Sequence, residues 1–436
     1  MHLTLLNLTD DPMICSWDHK RKGCDEHLVL ASQIPLQTKV PNRCRKLALF
    51  GQAAIKGTEG WCPATIRFSM RIGTTWQRLS VGGDHPWSVY AVKISMSHRK
   101  LIILPKRNVS AFLSDMPDAS PLYSLLLPGT HDTMAFYGWP ISQCQSPTTP
   151  LAVQLQSGIR VLDIRLAVVN SRLIAYHGIY PQRTPFEDIQ RTIHDFLTAP
   201  ETCRETIVMF MKQEDFATTR PGTFSQTVHR EMLSGPGGRD MWFLENRVPD
   251  LGEVRGKVVL ISRFGGNGDG WEGGLEGLGI HPTNWPDSAK DGFTWECKDT
   301  HVRTHDWYAI PSFLSIPEKF ALSTDILMHT PANTQPQKTL SITFFSAASF
   351  PLATPPAVAQ GFGWPRWGLG VEGVNSRVGR WLLDLLSDTE LKPASDTEVR
   401  LRGWALMDFY SNPEHALADL LVECNYRGRR AGEEGW

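Results

Sequence analysis

Residues able to do acid–base and phosphoryl chemistry recur in this 436-residue chain at the ends of short apolar runs. Leu125-Leu126-Leu127 is followed by His131 and Asp132, and Val161–Leu166 contains Asp163 and Arg165. Ile174–Tyr176 leads to His177, Ile207–Met211 to Lys212 and Glu214, and Val258–Ser262 to Arg263. Asp306, Tyr308 and Asp408 fall in later runs of the same kind. One imidazole can take a proton from an attacking hydroxyl while a second gives one to a leaving oxygen, since both titrate near neutrality. A carboxylate beside each ring fixes its tautomer and stabilises the imidazolium. Guanidinium and ammonium groups stabilise charge on phosphoryl oxygens. Such a set suits cleavage of a phosphodiester. Taken singly, a strand-end Lys or Arg is most often a solvated or ion-paired residue; it is the recurrence on one set of runs that points to a site.

These residues converge only if the runs belong to one sheet. Strands are predicted over Tyr123–Leu127, Val161–Leu166, Ile174–His177, Ile207–Met211, Val258–Ser262, Thr304–Tyr308, Leu340–Phe345 and Trp404–Phe409. Several are continuously apolar, as expected of strands buried on both faces. Helices are predicted at Phe186–Leu197, with Thr184 or Pro185 at its start, and at Ser376–Leu386. Alternation of this kind predicts an α/β fold, a parallel sheet or (β/α) barrel, whose active site gathers at the C-terminal ends of the strands. Residues 1–118 read differently. Partial period-2 alternation over Leu3–Leu8, Ala64–Ile72, Val89–Ile94 and Leu101–Leu104, punctuated by Gly, Pro and Asp, predicts a small β-rich N-terminal domain, a sandwich or open barrel. The barrel domain is then 119–436, with Pro117 and Pro121 bracketing the linker.

The formal net charge of -1 provides no global field for nucleic acid. No apolar run approaches the ~18 residues of a membrane span, and the first residues carry no signal-peptide pattern, so a cytoplasmic or peripheral membrane protein is expected. The cysteines lack metal or disulfide spacing and read as scattered thiols. Gly265-Gly266-Asn267-Gly268-Asp269-Gly270 lacks the Lys-Ser/Thr of a phosphate-binding loop.

Leu127-Pro128-Gly129-Thr130-His131-Asp132-Thr133 resembles the opening signature of the phosphatidylinositol-specific phospholipase C X-domain family. Gln156–Arg165, Tyr176-His177-Gly178, Glu205–Glu214, Gly256–Phe264 and Leu406-Met407-Asp408-Phe409 resemble the family's later blocks, so the resemblance covers roughly residues 119–412. It implies a distorted TIM (β/α) barrel and cleavage of phosphatidylinositol, or a related glycerophospholipid, to diacylglycerol and a cyclic inositol phosphate. The calcium-dependent branch has His-Asn in the first block and Glu-x-Asp in the second. Here these are His131-Asp132 and Asp163-Ile164-Arg165, which resemble the bacterial-type, metal-independent branch with a guanidinium in the ion's place and the oxygen ligands of Ca²⁺ lacking. By the same resemblance His131 is the general base oriented by Asp408, and His177 the general acid with Asp132 as partner. Arg165 contacts the phosphoryl group. Asp163, Lys212, Arg263, Asp306 and Tyr308 belong to the substrate-binding set. No metal or other cofactor is implied. His305 and Ser262 depart from the family pattern, which bears on headgroup choice.

Two other readings remain at this level: a catalytically silent lipid or inositol-phosphate binding protein on the same scaffold, and a metal-dependent glycerophosphodiesterase or sphingomyelinase-like enzyme, against which Arg165 argues. The expected partner is phospholipid at a membrane surface. Gly361–Trp367, Trp139 and Trp271 are the candidate membrane-contacting segments.

Overall fold

The computed structural model describes residues 1–17, 26–40, 46–51, 64–67, 73–82, 85–265, 268, 271, 274–282, 284–328, 338–364, 369–388, 400–429 and 431–436. The chain divides into two compact units, one built mainly from residues 1–107 and the other from 108–363, 370–378 and 399–436.

The first unit holds two five-stranded sheets. Alternate residues of each strand face one core: Leu3, Leu5, Val89, Ala91, Leu101 and Ile103 from one sheet, and Met13, Cys15, Trp17, Leu47 and Leu49 from the other. Period-2 burial from two sheets into one cluster is the sandwich solution to covering two apolar faces.

In the second unit we number the strands β1 (Leu126–Thr130), β2 (Val161–Val169), β3 (Arg172–His177), β4 (Tyr180–Pro185), β5 (Ile207–Gln213), β6 (Trp242–Phe243), β7 (Val258–Arg263), β8 (Ala289–Cys297), β9 (Thr300–Asp306), β10 (Thr339–Phe344) and β11 (Gly403–Met407). The paired order is β6-β7-β5-β2-β1-β11-β10-β9-β8, with β3 on β2 and β4 on β3. The run from β6 to β9 is parallel, and β8 adds antiparallel to β9. Phe243 and Ile261 near one end of this path share a core cluster with Trp295 and Cys297 at the other, together with Val208, Phe210, Phe344 and Leu406 between. The sheet is therefore curled around a packed interior, as in a (β/α) barrel. Helices α1 (Leu151–Gln156), α2 (Phe186–Thr198), α3 (Pro221–Ser234) and α4 (Ile316–Asp325) follow strands of this sheet. In α2 the buried Phe186, Ile189, Gln190, Ile193, Phe196 and Leu197 lie at helical spacing, while Glu187 and Asp188 in the first turn complement the helix dipole.

Three expectations are corrected. The predicted strand Tyr123–Leu127 is a 3₁₀ turn over Leu122–Ser124 followed by β1, because Pro121 starts a tight turn before the chain extends. Ile174–His177 is not a parallel wall strand but the return arm of an antiparallel hairpin on β2, turning at Asn170-Ser171, both with positive φ. Strands β9 and β11 end earlier than predicted, so Tyr308 and Asp408 stand just beyond the strand ends.

Candidate active site

Strand register puts the cations in one row. Arg165 on β2 pairs with Lys212 on β5, which pairs with Arg263 on β7. Asp163 lies two residues below Arg165 on the same face of β2. β1 supplies His131 from its end. Gly129 on β1 lets the two strands approach, since a Cβ there would sit 2.7 Å from Val161 Cβ and 2.9 Å from Val161 O. The turn then enters the left-handed region at Asp132 (φ 43°), which Asp tolerates better than most residues. The Asp132 N–H there donates to Asp163 Oδ2 at 3.1 Å.

His131 is held from three sides. Its N–H donates to Met407 O at 3.0 Å. The Gln145 amide donates to His131 O and Met407 O at 2.9 and 2.8 Å, clipping the turn to β11. Its Nδ1 lies 2.8 Å from Asp408 Oδ1, and its Nε2 2.7 Å from Arg165 Nη2. Arginine has no acceptor, so Nε2 bears the lone pair and Nδ1 the proton that it donates to Asp408. Burial, aided by the Arg165 charge, pushes the imidazole well below its ordinary range, and burial raises the Asp408 carboxyl. The Nδ1 proton of the ring thus lies between imidazole and carboxyl. Asn375 anchors the carboxylate's backbone, its amide donating to Asp408 O and Phe409 O at 2.8 and 3.1 Å.

The second imidazole faces the first, with ring centroids 6.5 Å apart and planes at 88°. His177 Nδ1 donates to Ser142 O at 2.7 Å, which directs Nε2 toward Asp132 Oδ2 at 3.4 Å. The same oxygen is 3.5 Å from His131 Nε2 and 3.1 Å from Arg165 Nη1. Asp132 is therefore the hub between both rings and the guanidinium. Burial raises its carboxyl to about 6, although Arg165 and His177 pull the other way. Asp163 goes the other way: burial would raise it, but Arg165, His131, Arg263 and the Asp132 N–H together hold it below the usual carboxylate range. Arg165 is fixed by Asp132, by Asp163 at 3.1 Å and by Glu214 at 3.5 Å, and these anions outweigh its burial and keep it charged.

These groups open into a cavity of about 470 Å³, within the usual size for a small-molecule site. His131, Arg165, His177, Lys212, Arg263, Asp306, Tyr308 and Asp408 line it, while Asp132 and Asp163 lie behind that lining. The candidate site residues are thus brought together. Elsewhere in the lining, Arg263 stacks over the Trp285 ring at 4.0 Å, and Trp285 Nε1 donates to Asp306 at 2.8 Å. Tyr308 bonds Asp287. Lys212 pairs with Glu214 at 3.0 Å. His305 faces away from the cavity, between Ser323 and Lys290 O, and burial lowers it to about 3.

Sequence reasoning assigned no role to Glu214, though it stands two residues from Lys212, the spacing that shares a strand face. It also missed Ser142, Cys144, Gln145 and Trp285, which lie on loops without periodic signal. Trp271, a membrane-contact candidate, is buried, its Nε1 donating to Ser225 Oγ at 2.6 Å. The side chain of Trp364 and residues 365–367 lie outside the described residues. His131, Asp132 and Cys144 place potential ligand atoms within 4.8 Å of one another. An ion there would share Asp132 and His131 with the Arg165 guanidinium, whose fixed charge repels it.

Residues 131–264 match the family described as phosphatidylinositol-specific phospholipase C, X domain. A 1-phosphatidylinositol phosphodiesterase of Listeria monocytogenes is 31% identical over 159 residues, covering 35% of this chain and 48% of that protein. The Staphylococcus aureus (strain Newman) enzyme of the same name is 27% identical over 161 residues, covering 36% and 51%. The chain spans about half the length of the curated relatives it matches. Among solved structures, the Listeria monocytogenes phosphatidylinositol-specific phospholipase C has a TM-score of 0.50 at 22% identity, covering 73% of this chain and 99% of that one. A Staphylococcus aureus phosphatidylinositol-specific phospholipase C, studied for its membrane binding, has 0.56 at 19%, covering 73% and 98%. These structures share the TIM-like barrel fold.

Proposed function

On the premise of that X-domain match, we propose that the barrel cleaves phosphatidylinositol to diacylglycerol and a cyclic inositol phosphate without a metal. One observation carries the reading: two imidazole Nε2 atoms converge on Asp132 Oδ2, with the Arg165 guanidinium between them. When substrate enters, a phosphoryl oxygen takes the Arg165 N–H, freeing His131 Nε2 for the inositol 2-hydroxyl. His131 accepts that proton as the oxygen attacks phosphorus, and Asp408 stabilises the imidazolium. The bond to the glycerol oxygen breaks in line, and His177, partnered by Asp132, gives an Nε2 proton to that oxygen. The nucleophile belongs to the substrate itself, so proximity replaces a metal-activated water. Lys212, Arg263, Asp306 and Tyr308 hold the inositol ring.

The substrate's headgroup lies at a membrane surface, and the loops near the cavity suit it. Ile179, next to the cavity-lining Gly178, is 86% exposed; Trp139 and Phe216, on the loops after β1 and β5, are 65% and 60% exposed. Large apolar side chains displayed from separate loops fit the interfacial layer of a bilayer. No helix among the described residues is long and apolar enough to cross a membrane.

The test is phosphorus NMR on phosphatidylinositol vesicles with and without EDTA. A cyclic phosphodiester resonance at equal rates in both supports the proposal. No product, or activity lost on chelation and restored by Ca²⁺ or Mg²⁺, overturns it.

A further inference from the structure

Lys319 on α4 is fully buried, yet the mechanism above makes no use of it. Burying an ammonium is costly unless it gains partners. Its Nζ donates to Trp307 O at 2.9 Å. Trp307 lies between Asp306, the last residue of β9, and Tyr308, and both of these line the cavity. The same peptide segment is fixed from other sides: Lys290 Nζ stands 5.1 Å over the Trp307 ring, Ala309 N–H donates to Ser288 Oγ at 2.9 Å, and Ala348 N–H donates to Tyr308 O at 2.8 Å. Those contacts lie on the segment's other groups. Lys319 alone grips the Trp307 carbonyl among the described contacts. The charges that act on it are the carboxylates of Asp306 and Asp408, which favour its ammonium form, against a burial that draws it down to about 7.

We propose that Lys319 is a positioning residue for substrate binding. Its buried ammonium holds the Trp307 carbonyl so that Asp306 and Tyr308 face the inositol ring. This rests on the ring-holding role given to those two residues under the proposed function. A side chain that acts this way affects how the ring is held and leaves the proton transfers at His131 and His177 nearly untouched, because those rings are oriented by Asp408, Asp132 and Ser142, and the main influences on Asp408 itself are its burial and the charges of Asp132 and Arg165.

The experiment compares wild type, Lys319→Met and Lys319→Gln on a water-soluble inositol phosphodiester, with thermal unfolding of each. Activity of the wild type tests the parent reading; the ratios among variants test Lys319. Lys319→Met keeps the aliphatic stem and removes the donor, and its KM is expected to rise about tenfold, with kcat within about threefold of wild type. Lys319→Gln retains an N–H donor, and its KM is expected to fall between the two. If the Met variant does not fold, the Gln variant carries the test with an expected rise of at least threefold. An unchanged KM in the folded variants, or kcat and KM both disrupted in step with lost thermal stability, overturns the proposal.

Discussion

Replacing Asp408 by Asn removes a charge while keeping the shape of the His131 site. The amide oxygen can still accept the Nδ1 proton. Turning the amide N–H toward Nδ1 instead would force a proton onto Nε2, against the Arg165 N–H 2.7 Å away, so the tautomer is kept. Asn375 holds the backbone in place. On the proposed mechanism, what is lost is the anion beside the imidazolium formed when His131 takes the hydroxyl proton. Two unit charges at ~4 Å with an effective dielectric of 20 interact by about 4 kcal/mol. A neutral hydrogen bond returns about 1 kcal/mol, so the transition state loses roughly 3 kcal/mol, a little over a hundredfold in kcat. His131 is already neutral at pH 7 because burial and Arg165 depress it, so raising the pH does not restore the rate. The melting temperature is expected to hold or rise, since burial raises the Asp408 carboxyl and a neutral amide avoids that cost. Steady-state kinetics on a soluble substrate from pH 6 to 9 provide the assay. A kcat within fivefold of wild type, or recovery at high pH, refutes the reasoning.

Further outcomes follow from the same geometry. His177→Ala is expected to slow cleavage by at least about a hundredfold, and less so for a substrate whose leaving oxygen has a low pKa; equal losses for both substrates would remove His177 as the acid. Asp132 is raised to about 6 by burial, so kcat should fall as pH drops through that value and the carboxylate protonates; a midpoint near 4 would contradict it. The sign for stability is opposite: a carboxyl whose folded pKa exceeds its unfolded one relieves a burial penalty as pH falls from about 6 toward 4. Ile179→Asp should weaken binding to phospholipid vesicles in sedimentation while sparing soluble-substrate turnover, and unchanged partitioning would show that this turn stays clear of the bilayer. Gly129→Ala should cost about 1–3 kcal/mol by calorimetry, because its Cβ meets the Val161 side chain and backbone; an unchanged melting temperature would show that β1 can shift.

The sequence by itself marked the strand-rich alternation and most of the ionisable side chains that line the cavity. Apolar runs ending in His131, Arg165, Lys212 and Arg263 are legible because a buried parallel strand must be apolar and can change character only where it reaches the mouth. The three cations fall level because the observed parallel register pairs Arg165 with Lys212 and Lys212 with Arg263. Tertiary structure alone decided three things. The first is that the β3 segment folds back as a hairpin, which carries His177 opposite His131, since a short apolar strand reads the same whichever way it pairs. The second is how each ring is turned, by Arg165 at Nε2 of one and by Ser142 O at Nδ1 of the other, contacts between elements distant in the chain. The third is the supporting layer of Gln145, Asn375, Trp285 and Lys319. These residues act through single hydrogen bonds or one ring face made possible by the curl of the sheet, and nothing in their spacing along the chain marks a partner that only packing brings within reach.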